Sequence, residues 1–256
     1  MTLRSTSLLL LLPLIAAPAP AAETRDPQAV AVAKRTLDAM GGAKAFEKVR
    51  TLSFDFVAER EGKEVARYHH VWDRWNGRYR VEGRNREGHL ALSIFNVNEP
   101  GTGRSWLDGA ALEGDALKAA LERAYARFIN DTYWLLAPWK LFDPGVHLAY
   151  DGEKPCPGGG MCDVLKLSFE NVGLTPKDHY WIWVTRDGRR MLQWQYVLGG
   201  ASDPPTTAEW KDWRKMGGLM LSLDKPMVGQ PFEIRFENVA VAPARDDSLF
   251  APPAAP

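Results

Sequence analysis

The segment "TLSFDFVAEREGKEVARYHHVWDRWNGRYRVEG", residues 51–83, decides the fold. Leu52, Phe54 and Phe56 alternate with Ser53, Asp55 and Val57. This period of two belongs to a β-strand, whose successive side chains point to opposite faces. Glu61-Gly62 and Asn76-Gly77 are turn signals, so about Glu64 to Trp72 and Gly77 to Gly83 read as the next strands of an antiparallel meander. His69 and His70 are neighbours in the second of these strands and therefore face opposite ways.

Upstream, Pro27 to about Met40 reads as a helix. Asp26 can cap it, Pro27 suits the first turn, and Val30, Ala33, Leu37 and Met40 make one apolar stripe before Gly41-Gly42 stops it. Downstream, alternation continues through Leu90 to Val97 and again after Gly101-Thr102-Gly103. Asp115 to Ile129 then carries Leu117, Leu121, Ala124 and Phe128 at helical spacing. That helix runs into "NDTYWLLAPWKLFDPGV", residues 130–146. There Asp131 can cap a short helix over Tyr133 to Ala137, Pro138 can disturb its end, and Asp143-Pro144-Gly145 can return the chain to the sheet.

Strand patterns fill the remainder: Leu165, Leu167 and Phe169; Tyr180 to Val184; Leu192, Trp194, Tyr196 and Leu198; Ala208 to Trp213; Leu219, Leu221 and Leu223; Ile234, Phe236 and Val239. The reading gives roughly ten or eleven strands and two main helices. One long antiparallel sheet must hide its apolar face. Curling the sheet and covering its open side with the helices at 27–40 and 115–137 does so. The expectation is a mainly β (α+β) domain over residues 23–256.

The first 22 residues read as a secretory signal. Arg4 supplies the positive start, Leu8 to Ile15 the apolar core, and Ala19-Pro20-Ala21 a cleavage site. A membrane anchor needs roughly 20 apolar residues, more than this run offers. Without Arg4 the mature chain has one basic residue fewer than its 32 acidic ones. It shows no long run of either sign, so nothing marks it for nucleic acid. Cys156 and Cys162 bracket Pro-Gly-Gly-Gly-Met, a loop flexible enough to close a disulfide, which agrees with export to the periplasm. The competing reading, a metal pair, needs further ligands, and the nearest, His147, is nine residues upstream.

Catalytic motifs are absent: no His-Glu-x-x-His, no Gly-x-Ser-x-Gly, no phosphate-cradling glycine loop. Ser222-Leu-Asp-Lys225 matches Ser-x-x-Lys but ends a strand instead of opening a helix. No cofactor or metal is expected. The positive signal is aromatic. In Tyr180-Trp181-Ile182-Trp183-Val184, alternation sends Trp181 and Trp183 to one face and Tyr180, Ile182 and Val184 to the other, so both faces carry large apolar groups. Either both faces are covered by core and helix, or one lines a cavity that takes a lipid-like ligand. Trp194 and Tyr196, on one face of their strand, fit both.

The signal peptide, the helix ending in Gly-Gly, the interrupted meander and the ending Asp247-Ser248-Leu249-Phe250-Ala251-Pro252 together resemble the periplasmic lipoprotein carrier superfamily of LolA/LolB-like proteins. Asn130-Asp131-Thr132-Tyr133-Trp134-Leu135, with Lys140-Leu141 and Asp143-Pro144-Gly145-Val146, resembles an uncharacterised branch with that fold. The resemblance implies an incomplete, strongly curved antiparallel barrel with a helical lid and an apolar interior that accepts acyl chains. It also implies an arginine on an early strand that latches the lid, nominating Arg74 in Trp72-Asp73-Arg74-Trp75-Asn76.

The expected function is an exported, non-enzymatic carrier for a lipid, a lipoprotein acyl chain or another hydrophobic ligand. Tyr133, Trp134, Trp139, Trp181, Trp183, Trp194 and Tyr196 are the candidate lining residues. Its partners would be a hydrophobic ligand or lipidated protein, or an envelope protein, with no nucleic acid and no membrane span in the mature chain. The rivals are an envelope interaction protein whose barrel is filled by its own side chains, and an exported hydrolase using His147, Asp143 and Lys140.

Overall fold

The computed structural model describes residues 25–170, 177–201 and 204–253; the expected leader lies outside the described residues. The chain opens with helix α1 (Pro27–Ala39), capped by Asp26, whose carboxylate accepts from the backbone N–H of Gln28 at 2.7 Å. The Gly-Gly stop is a corner and not an exit. A second helix, α2 (Gly42–Lys48), follows at once. Gly41 has φ +111°, and a Cβ there would collide with the carbonyl oxygen of Gly218, so only glycine permits this close approach.

The meander then forms as the period of two requires: β1 (Thr51–Arg60), β2 (Lys63–Asp73), β3 (Arg78–Arg84), β4 (Leu90–Asn96), β5 (Glu99–Leu107) and the short β6 (Ala110–Ala111). Helix α3 (Gly114–Lys140) interrupts it. Next come β7 (Val146–Pro155), β8 (Met161–Phe169), β9 (His179–Thr185), β10 (Met191–Val197) and β11 (Thr206–Glu209). The chain ends with β12 (Lys211–Met216), β13 (Leu219–Pro226), β14 (Phe232–Ala242) and a 3-10 turn at Asp247–Phe250.

Instead of one continuous sheet, the strands make two. The larger has the order β12-β13-β14-β1-β2-β3-β4-β5-β6, the smaller β11-β10-β9-β8-β7, and every ladder in both is antiparallel. The expected strand over 208–213 is broken at Trp210. Its first half belongs to the small sheet and its second half to the large one, with the Trp210 N–H donating to the Leu192 carbonyl at 2.7 Å. A single bridge between Ala208 and Met227 seams the sheets on this side. Among the described residues no strand pairing closes the opposite side, so the barrel is incomplete and helices occupy the gap.

Leu52, Phe54 and Phe56 enter the main core with Leu135, Leu136, Leu165, Ile182 and Trp194. The alternate positions face out: Asp55 accepts from Arg67 at 3.0 Å and Asn238 at 2.8 Å and lies 2.6 Å from His69 Nδ1. Cys156 and Cys162 are disulfide-bonded, as expected. Among the described residues no helix is long and apolar enough to cross a membrane.

The inserted helix differs most from expectation. Asp131 does not cap a short second helix; α3 runs unbroken past it and through Pro138 to Lys140. The Asp131 carboxylate is engaged elsewhere, as described below, so it does not compete for the helical backbone, while Thr132 shares the Phe128 carbonyl one turn back at 2.6 Å without breaking the helix. Pro138 falls in the last turn; with no N–H it leaves the Trp134 carbonyl without its helical donor, and the helix ends two residues later.

Lys225 occupies an inward position of β13. Its Nζ donates to the Ser222 carbonyl at 2.6 Å and lies 2.9 Å from Ser222 Oγ, over the ring of Trp210 at 4.3 Å. Burial holds its ammonium far below the usual lysine range. Ser222 and Lys225 are fully buried, so the Ser-x-x-Lys match is a packing feature. A buried amine is often less stabilising than a well-packed apolar side chain of like size. Lys225→Met is therefore expected to raise stability by about 1–3 kcal/mol, read as a higher urea midpoint with an unchanged slope.

Candidate functional site

The two halves of α3 do different work. Leu121, Ala124 and Phe128 pack with Tyr79, Val81 and Phe95 of β3 and β4. Beyond Asp131 the helix passes between the sheets, where Leu135, Leu136 and Ala137 are fully buried. One face of this second half closes the main core. The other, carrying Tyr133 and Trp134, forms with Ile129 and Asn130 just before Asp131 one wall of a cleft of about 570 Å³.

The opposite wall is the inner face of the small sheet: Phe169 from β8, Tyr180 from β9, and Trp194 and Tyr196 from β10, with Leu198 beyond them. Strand register explains the clustering. Trp194 pairs with Ile182 and Tyr196 with Tyr180, so the period of two stacks these rings on one face. The walls touch at the cleft floor. Trp134 meets Trp194 edge-on with centroids 4.4 Å apart, Tyr133 stacks on Trp194 at 5.8 Å, and Tyr133 lies 5.7 Å from Tyr180. Offset and edge-to-face rings of this kind are worth about 0.5–1.5 kcal/mol per pair beyond their burial.

Three charged residues line the cleft, and one of them, Asp178, is buried. Lys140 Nζ lies 3.5 Å from Asp143 Oδ2, and Asp178 accepts from the Tyr180 hydroxyl at 3.3 Å and the Gly199 N–H at 2.7 Å. Burial pushes the Tyr133 phenol well above its usual range, with Tyr180 and Asp143 adding to the shift. Burial does the same for Tyr180, helped by Asp178, and raises Tyr196 as well. All three stay neutral and act as hydrogen-bonding groups rather than bases. The site can hold an apolar body and offer it a few neutral polar contacts. His147, on β7, lies 3.3 Å from Glu170 and is not part of the cleft wall, whereas Lys140 and Asp143 are. Among the described residues no three His, Cys, Asp or Glu side chains gather as metal ligands would.

Of the residues singled out from sequence, Tyr133, Trp134, Trp194 and Tyr196 come together at the cleft. Trp139 is elsewhere, buried and stacked on Phe46 of α2 at 5.6 Å, because it projects from the core-facing side of α3. Trp181 and Trp183 are on the outer face of β9, beneath Lys166 and Lys154 at 5.5 and 5.8 Å. The alternation that sends Tyr180 inward sends them outward.

Arg74 sits in the turn after β2 and donates to the Phe46 and Val49 carbonyls, the latter at 2.8 Å, with its guanidinium 3.5 Å over the Phe46 ring. Burial brings its pKa down to about 10. These contacts close the end of α2.

The residue that ties the large sheet to α3 is His70. Its Nε2 lies 3.1 Å from Asp131 Oδ2, with both side chains fully buried, and its Nδ1 lies 2.8 Å from the Tyr79 hydroxyl. Asn130 donates to the other Asp131 oxygen at 2.7 Å, and Arg127 lies 3.5 Å from the first. The sequence placed His70 and His69 on opposite faces, but nothing in it paired His70 with an aspartate some sixty positions on.

No protein-family model matches the chain, and no curated protein matches it. Among solved structures it is similar to a DUF1329 family protein from Desulfovibrio piger, with 11% identity and a TM-score of 0.48 over 87% of this chain and 97% of that one. An uncharacterized conserved protein from Thermus thermophilus is similar at 10% identity and a TM-score of 0.34, over 82% of this chain and 93% of that one. The MucA/MucB complex of Pseudomonas aeruginosa is similar at 12% identity and a TM-score of 0.22; the match covers 87% of this chain but only 61% of that one. At these identities no residue role or activity passes from those proteins to this chain.

Burial holds the His70 imidazole below its ordinary value, and the bond to Asp131 offsets this only in part, while Arg127 and His69 add to the depression. The folded protein therefore keeps His70 neutral, its two ring nitrogens beside the Tyr79 hydroxyl and the Asp131 carboxylate. An unfolded chain takes up this proton at about pH 6.5. Stability from this group is intact above that pH and falls as pH drops below it, by up to about 1.4 kcal/mol per pH unit. Urea unfolding in mildly acidic buffers should show a shallower fall for His70→Gln than for the parent. At neutral pH Asp131→Ala should lose about 2–3 kcal/mol.

Proposed function

We propose that this chain is an exported binding or carrier protein for a lipid, a lipoprotein acyl chain or another hydrophobic ligand, held in the cleft between α3 and the small sheet. The observation that carries the reading is the cleft itself: about 570 Å³ with Tyr133, Trp134, Tyr180, Trp194 and Tyr196 around it and only Lys140, Asp143 and Asp178 as charged lining residues. Apolar pockets of roughly 300–1,000 Å³ with few polar groups are the usual form of small-molecule sites. Each aliphatic methylene buried there contributes about 0.8 kcal/mol, so one chain binds without elaborate recognition. The reading is non-enzymatic: among the described residues that line the cleft, no nucleophile is paired with a base.

Binding in this way keeps α3 in place. Swinging its second half out would expose Trp134, Leu135, Leu136 and Trp139 at about 1.5–3 kcal/mol each, and would break the buried contact of Asp131 with His70. A gap that already exists takes a ligand at lower cost than one opened by removing the helix.

One observation favours the second reading, an envelope interaction protein. Much of the space between the sheets is filled by α3, with Leu135, Leu136 and Ala137 fully buried. The two readings part on a binding measurement. Protein purified from its own periplasm should release lipid on solvent extraction, and the delipidated protein should take up a fluorescent fatty-acid ester. Tyr196→Arg, which puts a charge in the cleft, should reduce that uptake at least about ten-fold while leaving the thermal transition nearly unchanged. No lipid and no uptake in the parent protein would favour the interaction protein.

A further inference from the structure

A second cleft, of about 290 Å³, lies where the end of α1, the β9–β10 turn and the β12–β13 hairpin meet, and is lined by Ala39, Met40, Arg189, Arg190, Trp213 and Met220. It shares no lining residue with the large cleft and sits at the other end of the β9–β10 hairpin. Tyr180 and Tyr196 pair near one end, Arg189 and Arg190 belong to the turn at the other, and Ile182, Val184, Met191 and Trp194 are buried between. The turn is fixed. The Gly188 N–H donates to the Thr185 carbonyl at 2.7 Å, and the Arg190 N–H donates to the Thr185 hydroxyl at 3.1 Å. Gly188 has φ +72°, and a Cβ there would meet Arg35 Cβ at 2.7 Å, so the turn lies hard against α1. On the cleft floor the Met220 N–H donates to the Met40 carbonyl at 2.9 Å, tying β13 to the end of α1.

The lining carries two guanidiniums and no carboxylate. Asp187, on the same turn, is engaged through Oδ1 with the Thr185 hydroxyl at 2.6 Å and the Arg189 N–H at 3.0 Å, and its Oδ2 lies 3.7 Å from Arg189 Nε. Its charge also acts on Arg190, but among the described residues no ion pair or hydrogen bond holds the Arg190 guanidinium. Strand register sets Lys215 opposite Met220, which adds an ammonium on this side. A guanidinium fork matches the two oxygens of a carboxylate, and the Met40, Trp213 and Met220 side chains suit a hydrocarbon body. The volume is at the small end of ligand sites. We propose that this cleft is a second binding site, for a small organic carboxylate whose apolar body rests on Met40, Trp213 and Met220 and whose oxygens accept from Arg190, with Arg189 beside it. The site stands independently of the large cleft and its ligand.

Isotope-edited NMR titration of the full mature chain tests this in low-salt buffer near neutral pH, with 4-phenylbutyrate, 4-phenylbutanol and acetate as probes. Affinity is read from the Arg189 and Arg190 amides and the Trp213 indole N–H, while the Trp194 indole N–H reports on the large cleft. The acid should bind at least about five-fold more tightly than the alcohol, the scale of an exposed ion pair, and more tightly than acetate, which lacks the apolar body. Arg190→Gln, checked for an unchanged thermal transition, should remove most of the preference for the acid and change the alcohol by less than about two-fold. Alcohol binding as tightly as the acid, or Arg190→Gln binding the acid as the parent does, overturns the carboxylate site. Acetate binding as tightly as 4-phenylbutyrate overturns the apolar half of the proposal. Shifts confined to Trp194 overturn the second site and leave the large cleft standing, and no shift with any probe overturns the second site as well.

Discussion

The fold depends on burying the second half of one helix between two sheets that do not close on each other. Without α3 the inner faces of both sheets would present Leu52, Phe54, Leu165, Ile182 and Trp194 to water, because among the described residues strand pairing joins the sheets only at the Trp210 crossing and the Ala208–Met227 bridge. With α3 in place, Leu135, Leu136 and Ala137 complete a common core. The contact of Asp131 with His70 sets the helix against the large sheet. Neither partner is exposed, so any shift of the helix along its axis would leave a polar group buried alone, an outcome far costlier than the contact is worth.

The cleft follows from the same arrangement. A helix is round and a twisted sheet is saddle-shaped, so α3 meets the small sheet along the Trp134–Trp194 contact and parts from it toward the rim. The aromatic side chains at the floor are large and stiff, and they hold the walls apart instead of collapsing the gap. The stretch that ends α3 is therefore both wedge and wall: its core face is permanent packing, and its other face is the surface a ligand would meet.

Much of this was legible in the sequence. The period of two in residues 51–83 gave the meander, helical spacing gave α1 and the first half of α3, and the Cys-Pro-Gly-Gly-Gly-Met-Cys loop gave the disulfide. Alternation also separated Tyr180 from Trp181 and Trp183, but it does not say which face is inner; that depends on where α3 and α1 pack. For the same reason the rule marked Trp194 and Tyr196 without naming Tyr180 and Phe169 as their companions. Asp131 read as a helix cap because its type favours caps. Its partner, His70, is far away in sequence, and local propensity carries no information about such a pair. The resemblance to lipoprotein carriers directed attention to an arginine latch, whereas Arg74 caps α2 and the tie to α3 is made by a histidine.

The central claim is that the gap between α3 and the small sheet is a ligand site that works with the helix in place. Crystallising the protein with a fatty-acid ester brominated at the end of its chain, and locating the bromine by anomalous scattering, tests it most directly. The account predicts bromine density against Trp194 and Tyr196, with Asp131 still facing His70. Density confined to the protein surface, or a bound chain where α3 now stands with the helix displaced, would contradict it.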